Sequence, residues 1–375
     1  MDIKKIRSEF PVTDHWIYLN HAAVAPLSRP AAAAMRRTLR DAEENGMAFI
    51  ENWQALYERT RKVAARLIGA RASEIALLKN TTEGLITVAN GISWRPGDNV
   101  VIARGEFPAN VYPWLNLERQ GVRINWVDER EGRLWPEDFA AAIDANTRAL
   151  SVSSVEFFSG YRNDLKHLGE LCKANDALFI VDAIQSLGAL PIDVEMLGVD
   201  ALCADAHKWL LGPEGSALFY CARRSMPKIA PNSIGWASVE SAYDFLSYDT
   251  SLHKDARRYE SGTLNTVGIA GMKASIELIL DYGIDDISKR ILHLTELLCE
   301  GLSNKGYSTL GSRLAGESSG IVTFRHPSKP TVELLGMLRQ ANVICTERGD
   351  HIRLSPHFYN TEDEIITTLT VLPPA

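Results

Sequence analysis

From residue 75 onward, short apolar runs alternate with longer stretches of mixed character. IALLKNTTEGLITVANGI (75–92) predicts a strand, a polar turn and a helix, with Thr81 and Thr82 at the cap and Glu83 in the first turn. RPGDNVVIARGEFPANVYPWLNL (95–117) predicts a turn, a strand and a helix, and RINWVDEREGRLWPEDFAAAID (123–144) a strand, a charged loop and a helix. RALSVSSVEFFSGYRND (148–164) is a strand leading to a turn, and LFIVDAIQS (178–186) is an apolar run that stops abruptly at Asp182. LCADAHKWLLGPEGSALFY (202–220) carries Lys208 at its centre and ends in a strand-like run. Runs this short, bounded by helical segments, suit strands buried on both faces of a parallel sheet, whose ligands sit at the carboxyl ends of the strands.

The flanking regions follow other periods. Residues 1–17 form a short amphipathic opening, and the Ala- and Arg-rich residues 30–68 predict two helices separated near Asn45-Gly46. From Pro227 the chain turns irregular, and loop 227–257 is expected to shape a substrate pocket. Ile276, Leu280, Ile284, Ile287, Ile291, Leu294 and Leu298 keep a 3.6-residue period, predicting two helices broken around Gly283. The rest of the chain reads strand, helix, strand pair, helix. The expectation is an α/β protein with a large domain over 25–265, a small α+β domain over 266–375, and an N-terminal segment, 1–24, packed on the small domain.

Two residues give this architecture a chemistry. Lys208 lies between Leu202, Cys203 and Ala204 on one side and Trp209, Leu210 and Leu211 on the other. Apolar surroundings disfavour an ammonium and turn lysine into a usable amine nucleophile. The plain alternative is a lysine at a strand-to-loop junction reaching water. Asp182 ends the preceding apolar run, so both residues belong near the carboxyl edge of one sheet. A buried carboxylate that keeps a pyridine nitrogen protonated, beside an amine that forms a Schiff base, is what pyridoxal 5'-phosphate requires.

Composition narrows the partners. A formal net charge of −7 without a basic cluster argues against nucleic acid. Cys172, Cys203, Cys221, Cys299 and Cys345 are scattered without a C-x-x-C pair, which fits reduced thiols in a cytoplasmic protein. The start, MDIKKIRSEFPV, is too charged for a signal sequence, and no apolar run approaches a membrane span. No metal-ligand spacing and no G-x-G-x-x-G is present. One G-x-S-x-G match, Gly316 to Gly320, has Asp350 and His351 or His357 downstream, but a polar loop precedes it where a nucleophile elbow needs a strand.

VDAIQSLGALPIDVEMLGVDALCADAHKWLLGPEG resembles the core signature of the class V aminotransferase family of fold-type I pyridoxal-phosphate enzymes, and the similarity runs from about Tyr18 to about Glu364. That family includes cysteine desulfurases, selenocysteine lyases, kynureninases and isopenicillin N epimerase-like proteins. The resemblance implies Lys208 as the Schiff-base lysine, Asp182 as partner of the pyridine nitrogen and Gln185 as partner of the ring hydroxyl. NTTEG implies that Thr82 and the amide of Glu83 hold the cofactor phosphate, with His207 contacting it or orienting Lys208. Phe107 takes the ring-stacking place, where cysteine desulfurases carry histidine, and Ser154 the place of an asparagine that bonds the ring hydroxyl. RYESGT implies a homodimer in which Thr263 reaches the neighbouring subunit's phosphate. Asn20 and His21 match a segment close to the substrate, and Arg353 matches the arginine that clamps the substrate carboxylate.

Several positions depart from the pattern. Asp205 stands where many relatives have a phosphate-binding serine, and Glu156 and Arg348 have no assigned role, Arg348 being a candidate for a second carboxylate. Cysteine desulfurases need a thiol on a mobile loop, and the cysteine nearest that place, Cys345, follows apolar Val343 and Ile344. The expected activity is aminotransferase-like chemistry at the α-carbon of an amino acid. The alternatives are a cysteine desulfurase-like or other carbon–sulfur lyase, an epimerase, or a catalytically silent scaffold.

Overall fold

The computed structural model describes residues 2–246 and 248–375. Seven strands form one sheet: β1 (Ile75–Leu78), β2 (Asn99–Ala103), β3 (Arg123–Val127), β4 (Thr147–Ser153), β5 (Leu178–Asp182), β6 (Ala201–Asp205) and β7 (Ala217–Cys221). Their order across the sheet is β1-β7-β6-β5-β4-β2-β3. Only β7 runs against its neighbours, β6 and β1. Every residue of β1, β2, β5 and β7 is buried, which is why these strands read as unbroken apolar runs rather than alternating ones. Ser153 pairs with Asp182 and Asp182 with Cys203, so the carboxyl ends of β4, β5 and β6 meet along one edge.

Helices cover both faces. Arg29–Asn45 and Ile50–Ile68 pack against Thr266–Tyr282, and glycines with positive φ, Gly46 and Gly69, end the first two. The helix after β1 spans Thr81–Gly91, but its cap is Asn80, whose side chain accepts the Glu83 amide, rather than Thr81 or Thr82. Gly84 in this helix packs so closely on β6 that a Cβ there would come within 2.6 Å of Cys203 Sγ.

A second, antiparallel sheet carries the strands Thr346–Arg348, His351–Leu354, Val322–Arg325 and Ser308–Thr309 in that order. The N-terminal strand Ile17–Tyr18 pairs in parallel with Val343–Ile344, so the chain's start is tied to this smaller unit. Helix Ile284–Asn304 is shared: Ile287 and Ile291 join the core under the large sheet, while Leu294, Leu298 and Leu302 join the core of the small one. Helix Thr266–Tyr282, expected to open the small domain, lies with the large one through its contacts to the two early helices. The G-x-S-x-G match forms no elbow: Ser318 donates to the Arg313 carbonyl, buried Ser319 donates to the Gly160 carbonyl, and a strand comes next instead of a helix. Among the described residues, no helix is long and apolar enough to cross a membrane.

The irregular stretch after Pro227 is anchored at its far end by a buried ion pair. Arg61 Nη2 donates to Glu260 at 2.6 Å, and Glu260 also accepts the Leu77 amide of β1 at 2.8 Å. This fixes the Ser261–Thr263 turn against the large sheet. Replacing Arg61 with Ala strands a buried carboxylate, and a loss of about 3–5 kcal/mol is expected. Thermal unfolding of Arg61→Ala beside the parent protein measures it, and an unchanged midpoint would show that the pair is not holding this turn.

Candidate active site

Lys208 lies in the turn after β6, and four segments hold that turn. The Ala25 amide donates to the His207 carbonyl at 2.7 Å, and Ser275 Oγ donates to the Leu211 carbonyl at 2.8 Å. Trp209 is fully buried; its indole N–H donates to Gln185 Oε1 at 3.1 Å, and its carbonyl lies 3.1 Å from His357 Nε2. Leu211 takes a left-handed backbone with φ of 59°, a conformation that costs a branched residue roughly 1–2 kcal/mol. Surroundings that over-determine the turn sustain such strain.

The Lys208 side chain is 8% exposed, and its Nζ lies 5.5 Å from the centre of the Phe107 ring. Burial lowers its pKa to about 8, against the pull of Asp182 toward the charged form. Asp182, 1% exposed, accepts the Ile184 amide at 3.0 Å, and burial raises its carboxyl to about 6 in spite of that bond and of Lys208. Desolvation therefore outweighs attraction for both partners, which brings two oppositely charged groups toward neutrality at mildly different pH values.

On the small-domain side stands Arg353, 1% exposed on strand His351–Leu354. Its Nη1 donates to the Phe157 carbonyl at 2.7 Å, while Nε and Nη2 have no hydrogen-bond partner among the described residues. Burial, with the neighbouring Arg348 guanidinium, pulls its pKa down to about 9. Phe157 packs edge-on against Phe107 with ring centres 5.3 Å apart, linking the arginine to the lysine across the cleft. Two free N–H directions on one buried guanidinium have the geometry that pairs with a carboxylate. Arg348 Nη1 donates to the Thr346 hydroxyl and the Glu347 carbonyl.

The remaining expected residues divide. His207 stands beside Lys208, and burial lowers its pKa to about 4, so the ring is neutral. Phe107 is 42% exposed, with one face open. Thr82 is exposed at the helix start, whereas the Glu83 amide is used by the Asn80 cap at 2.8 Å and its carboxylate turns back to Lys79, so Glu83 leaves no group free for a phosphate. Gln185 donates one Nε2 hydrogen to the Ala22 carbonyl at 3.1 Å and keeps the other. Buried Ser154 donates to the Asp182 carbonyl at 3.2 Å and contacts the Ser186 hydroxyl. Thr263 is exposed beside Lys79 and Glu83.

His21 has no ring nitrogen free for a substrate. It is fully buried, with Nε2 2.7 Å from the Tyr359 hydroxyl and Nδ1 2.8 Å from the Ser355 carbonyl. Both ring nitrogens are used, so it is a packed core histidine that ties the N-terminal segment to the chain's end. Asn20 beside it keeps a buried Oδ1 without a partner among the described residues.

Periodicity gives no hint of a second buried acid near Asp182. Glu106 accepts the amide and the hydroxyl of Ser153, and burial raises its carboxyl to about 7. Glu156, only 6% exposed, accepts from Asn163 Nδ2 at 2.7 Å and is raised well above the usual range by burial and then by Glu106. The available signal for both was position, since each sits one residue before a phenylalanine of the cleft.

The sheet order, a lysine just past its carboxyl edge and an unpaired arginine facing it across the cleft are the arrangement of a fold-type I pyridoxal-phosphate enzyme. The aminotransferase class-V family model matches residues 17–366, and the chain belongs to that family. It is 29% identical to a probable cysteine desulfurase of Methanothermobacter thermautotrophicus over 97% of this chain and 96% of the relative. It is 30% identical to the uncharacterized aminotransferase YcbU of Bacillus subtilis over 92% of each. The apo structure of a cysteine desulfurase from Thermococcus onnurineus NA1 superposes with a TM-score of 0.90 at 26% identity, over 98% of this chain and 96% of that one. A cystine C–S lyase in complex with cysteine persulfide shares the fold, with a TM-score of 0.90 at 23% identity over 96% and 98% of the two chains. The cofactor is pyridoxal 5'-phosphate, and the buried amine, the buried acid and the open face of Phe107 suit it.

In the cofactor-free protein, amine-directed modification of Lys208 should rise with a midpoint near pH 8, while ordinary lysines titrate at about 10.4. Asp182 favours the ammonium, so Asp182→Asn should move that midpoint down. Peptide mapping after labelling across a pH series measures both, and a Lys208 midpoint like that of surface lysines would rule out the desolvated amine.

Proposed function

We propose that this enzyme transforms the α-carbon and amino group of a small amino acid in an aminotransferase-like reaction. The observation that carries the reading is the pair Lys208 and Arg353, a buried amine and a buried, half-unpaired guanidinium joined through the Phe107–Phe157 ring contact. The fork of Arg353 binds the substrate carboxylate through Nε and Nη2 and so fixes which α-carbon bond faces Lys208. Lys208, with a pKa brought to about 8, takes the α-proton on Nζ and returns it to a neighbouring carbon. Pyridoxal phosphate supplies the electron sink for the charge left on the α-carbon. When bound, its ring nitrogen would be kept protonated by Asp182, its ring would lie against Phe107, and its ring hydroxyl would take the remaining N–H of Gln185. His207 and Thr82 would hold its phosphate, together with Thr263 of a second copy. Asn20 borders the substrate through its unpaired Oδ1.

A homodimer fits the exposed aromatics of the long loop. Trp236, Tyr243 and Phe245 form an edge-to-face cluster, and Tyr243, Phe245, Leu246 and Tyr248 are all more than half exposed, apolar surface that a second copy would cover. Sedimentation should give twice the chain mass.

Carbon–sulfur lysis is the second reading, because named relatives are cysteine desulfurases. The thiols favour a lyase that releases its sulfur over one that stores it. Cys345 is partly buried beside the strand Val343–Ile344, and burial raises its thiol to about 12, so it is no sulfur acceptor. Incubating holoenzyme with amino acids, with and without 2-oxoglutarate, separates the two. Keto acid formed only with the acceptor is transamination, whereas pyruvate with a sulfur product and no acceptor is lysis. Lys208→Ala should lose the visible absorption of lysine-bound cofactor, and its retention would refute the assignment. Arg353→Lys should raise KM roughly 10- to 100-fold, the loss of a charged, two-pronged contact.

A further inference from the structure

The phosphate side of the site holds a group that ought not to be there. Asp205, at the end of β6, accepts the Thr81 amide on Oδ1 at 2.6 Å and donates its own amide to the Thr81 hydroxyl at 3.0 Å. Its Oδ2 lies 3.3 Å from His207 Nδ1, and the side chain is 11% exposed. The protein's own carboxylate thus occupies the first free N–H of the helix that starts the phosphate turn. Lys208 comes three residues later, and Asp182 faces Asp205 from β5. Glu214 faces His207 from the turn beyond, while Glu83, on the helix itself, is directed at Lys79.

Above neutrality a phosphate monoester is fully dianionic, its second pKa being about 6. Like charges brought together near a protein surface repel, so an ionised Asp205 and a seated phosphate oppose each other. Lys208 offers little relief, because its amine is consumed by the cofactor. His207 is neutral and can receive or give a single hydrogen bond. Burial has already brought the carboxyl to about 7 before any phosphate arrives.

We propose that Asp205 is a cofactor-binding residue that takes up a proton as the phosphate seats. Its neutral carboxyl keeps the Thr81 amide on Oδ1 and donates from Oδ2 to a phosphate oxygen. This rests on the reading that places the cofactor phosphate at the Thr81–Thr82 turn. The sign comes from linkage: the protonated form binds, so affinity is level below the free carboxyl's pKa and falls as pH rises through and above it. A serine would make the same contact with no pH dependence.

The test compares cofactor-free parent protein with Asp205→Asn and Asp205→Ser, titrated with pyridoxal 5'-phosphate and with pyridoxal, from about pH 7 to about pH 9. Ionisations of the ring and of Lys208 are common to both ligands and cancel in the ratio of their dissociation constants. The parent's preference for the phosphorylated form should fall by about tenfold per pH unit, and the preference of both variants should stay nearly flat. Asn, which mimics the neutral acid, should bind pyridoxal phosphate more tightly than the parent at the alkaline end. Equal slopes in all three proteins would overturn the proposal, as would weaker binding by Asn at every pH. If the parent shows no preference for the phosphorylated ligand, the placement of the phosphate itself is wrong and the proposal falls with it.

Discussion

Everything in this site depends on taking an amine out of water. An ordinary lysine is an ammonium at neutral pH and neither attacks a carbonyl nor accepts a proton. Burying Lys208 behind Trp209, Leu210 and Leu211 removes part of the hydration that favours the charged form, while Asp182 limits how far the shift can go. The result is a group that exchanges its proton within reach of physiological pH. The same burial acts with opposite sign on Asp182, Glu106 and Glu156, so the carboxyl edge of the sheet gathers acids and bases whose ionisation costs are all raised together.

Such a site needs a rigid frame, since a buried charge that can rotate toward solvent loses its shifted pKa. The turn around Lys208 is held from the N-terminal segment through Ala25, from the helix Thr266–Tyr282 through Ser275, from β5 through Gln185, and from the C-terminal segment through His357. The last two meet at Trp209, through its indole N–H and its carbonyl. His21, whose motif suggested a substrate contact, belongs to this scaffold through Tyr359 and Ser355. Residues adjacent in a motif can therefore differ in kind, His21 with both ring nitrogens engaged and Asn20 with a buried Oδ1 that has no partner among the described residues.

Much of the architecture was legible in the chain itself. The short apolar runs mark β1, β2, β5 and β7 because strands buried on both faces carry no polar alternation, and the break at Asn45-Gly46 is where the helix ends on a glycine of positive φ. Lys208 and Asp182 were legible because charge inside an apolar run is costly enough to require a reason. What stayed hidden depends on pairing across long separations. Glu106 is an ordinary loop residue until Ser153, 47 positions away, supplies its bonds. Asp205 was visible as an odd residue, but its occupation of the Thr81 amide needs two elements 124 positions apart. The assignment of helix Thr266–Tyr282 to the large unit was equally out of reach, because its apolar face carries no label for which core it will join.

The division of helix Ile284–Asn304 between two cores has a mechanical meaning. Its first turns are cemented under the large sheet by Ile287 and Ile291, and its last by Leu294, Leu298 and Leu302 under the small one. A single rigid rod rooted in both bodies leaves no free joint at that crossing. The wall bearing Arg353 can breathe only as far as the rod bends, so the distance between guanidinium and amine is set by the stiffness of a helix and not by a floppy linker.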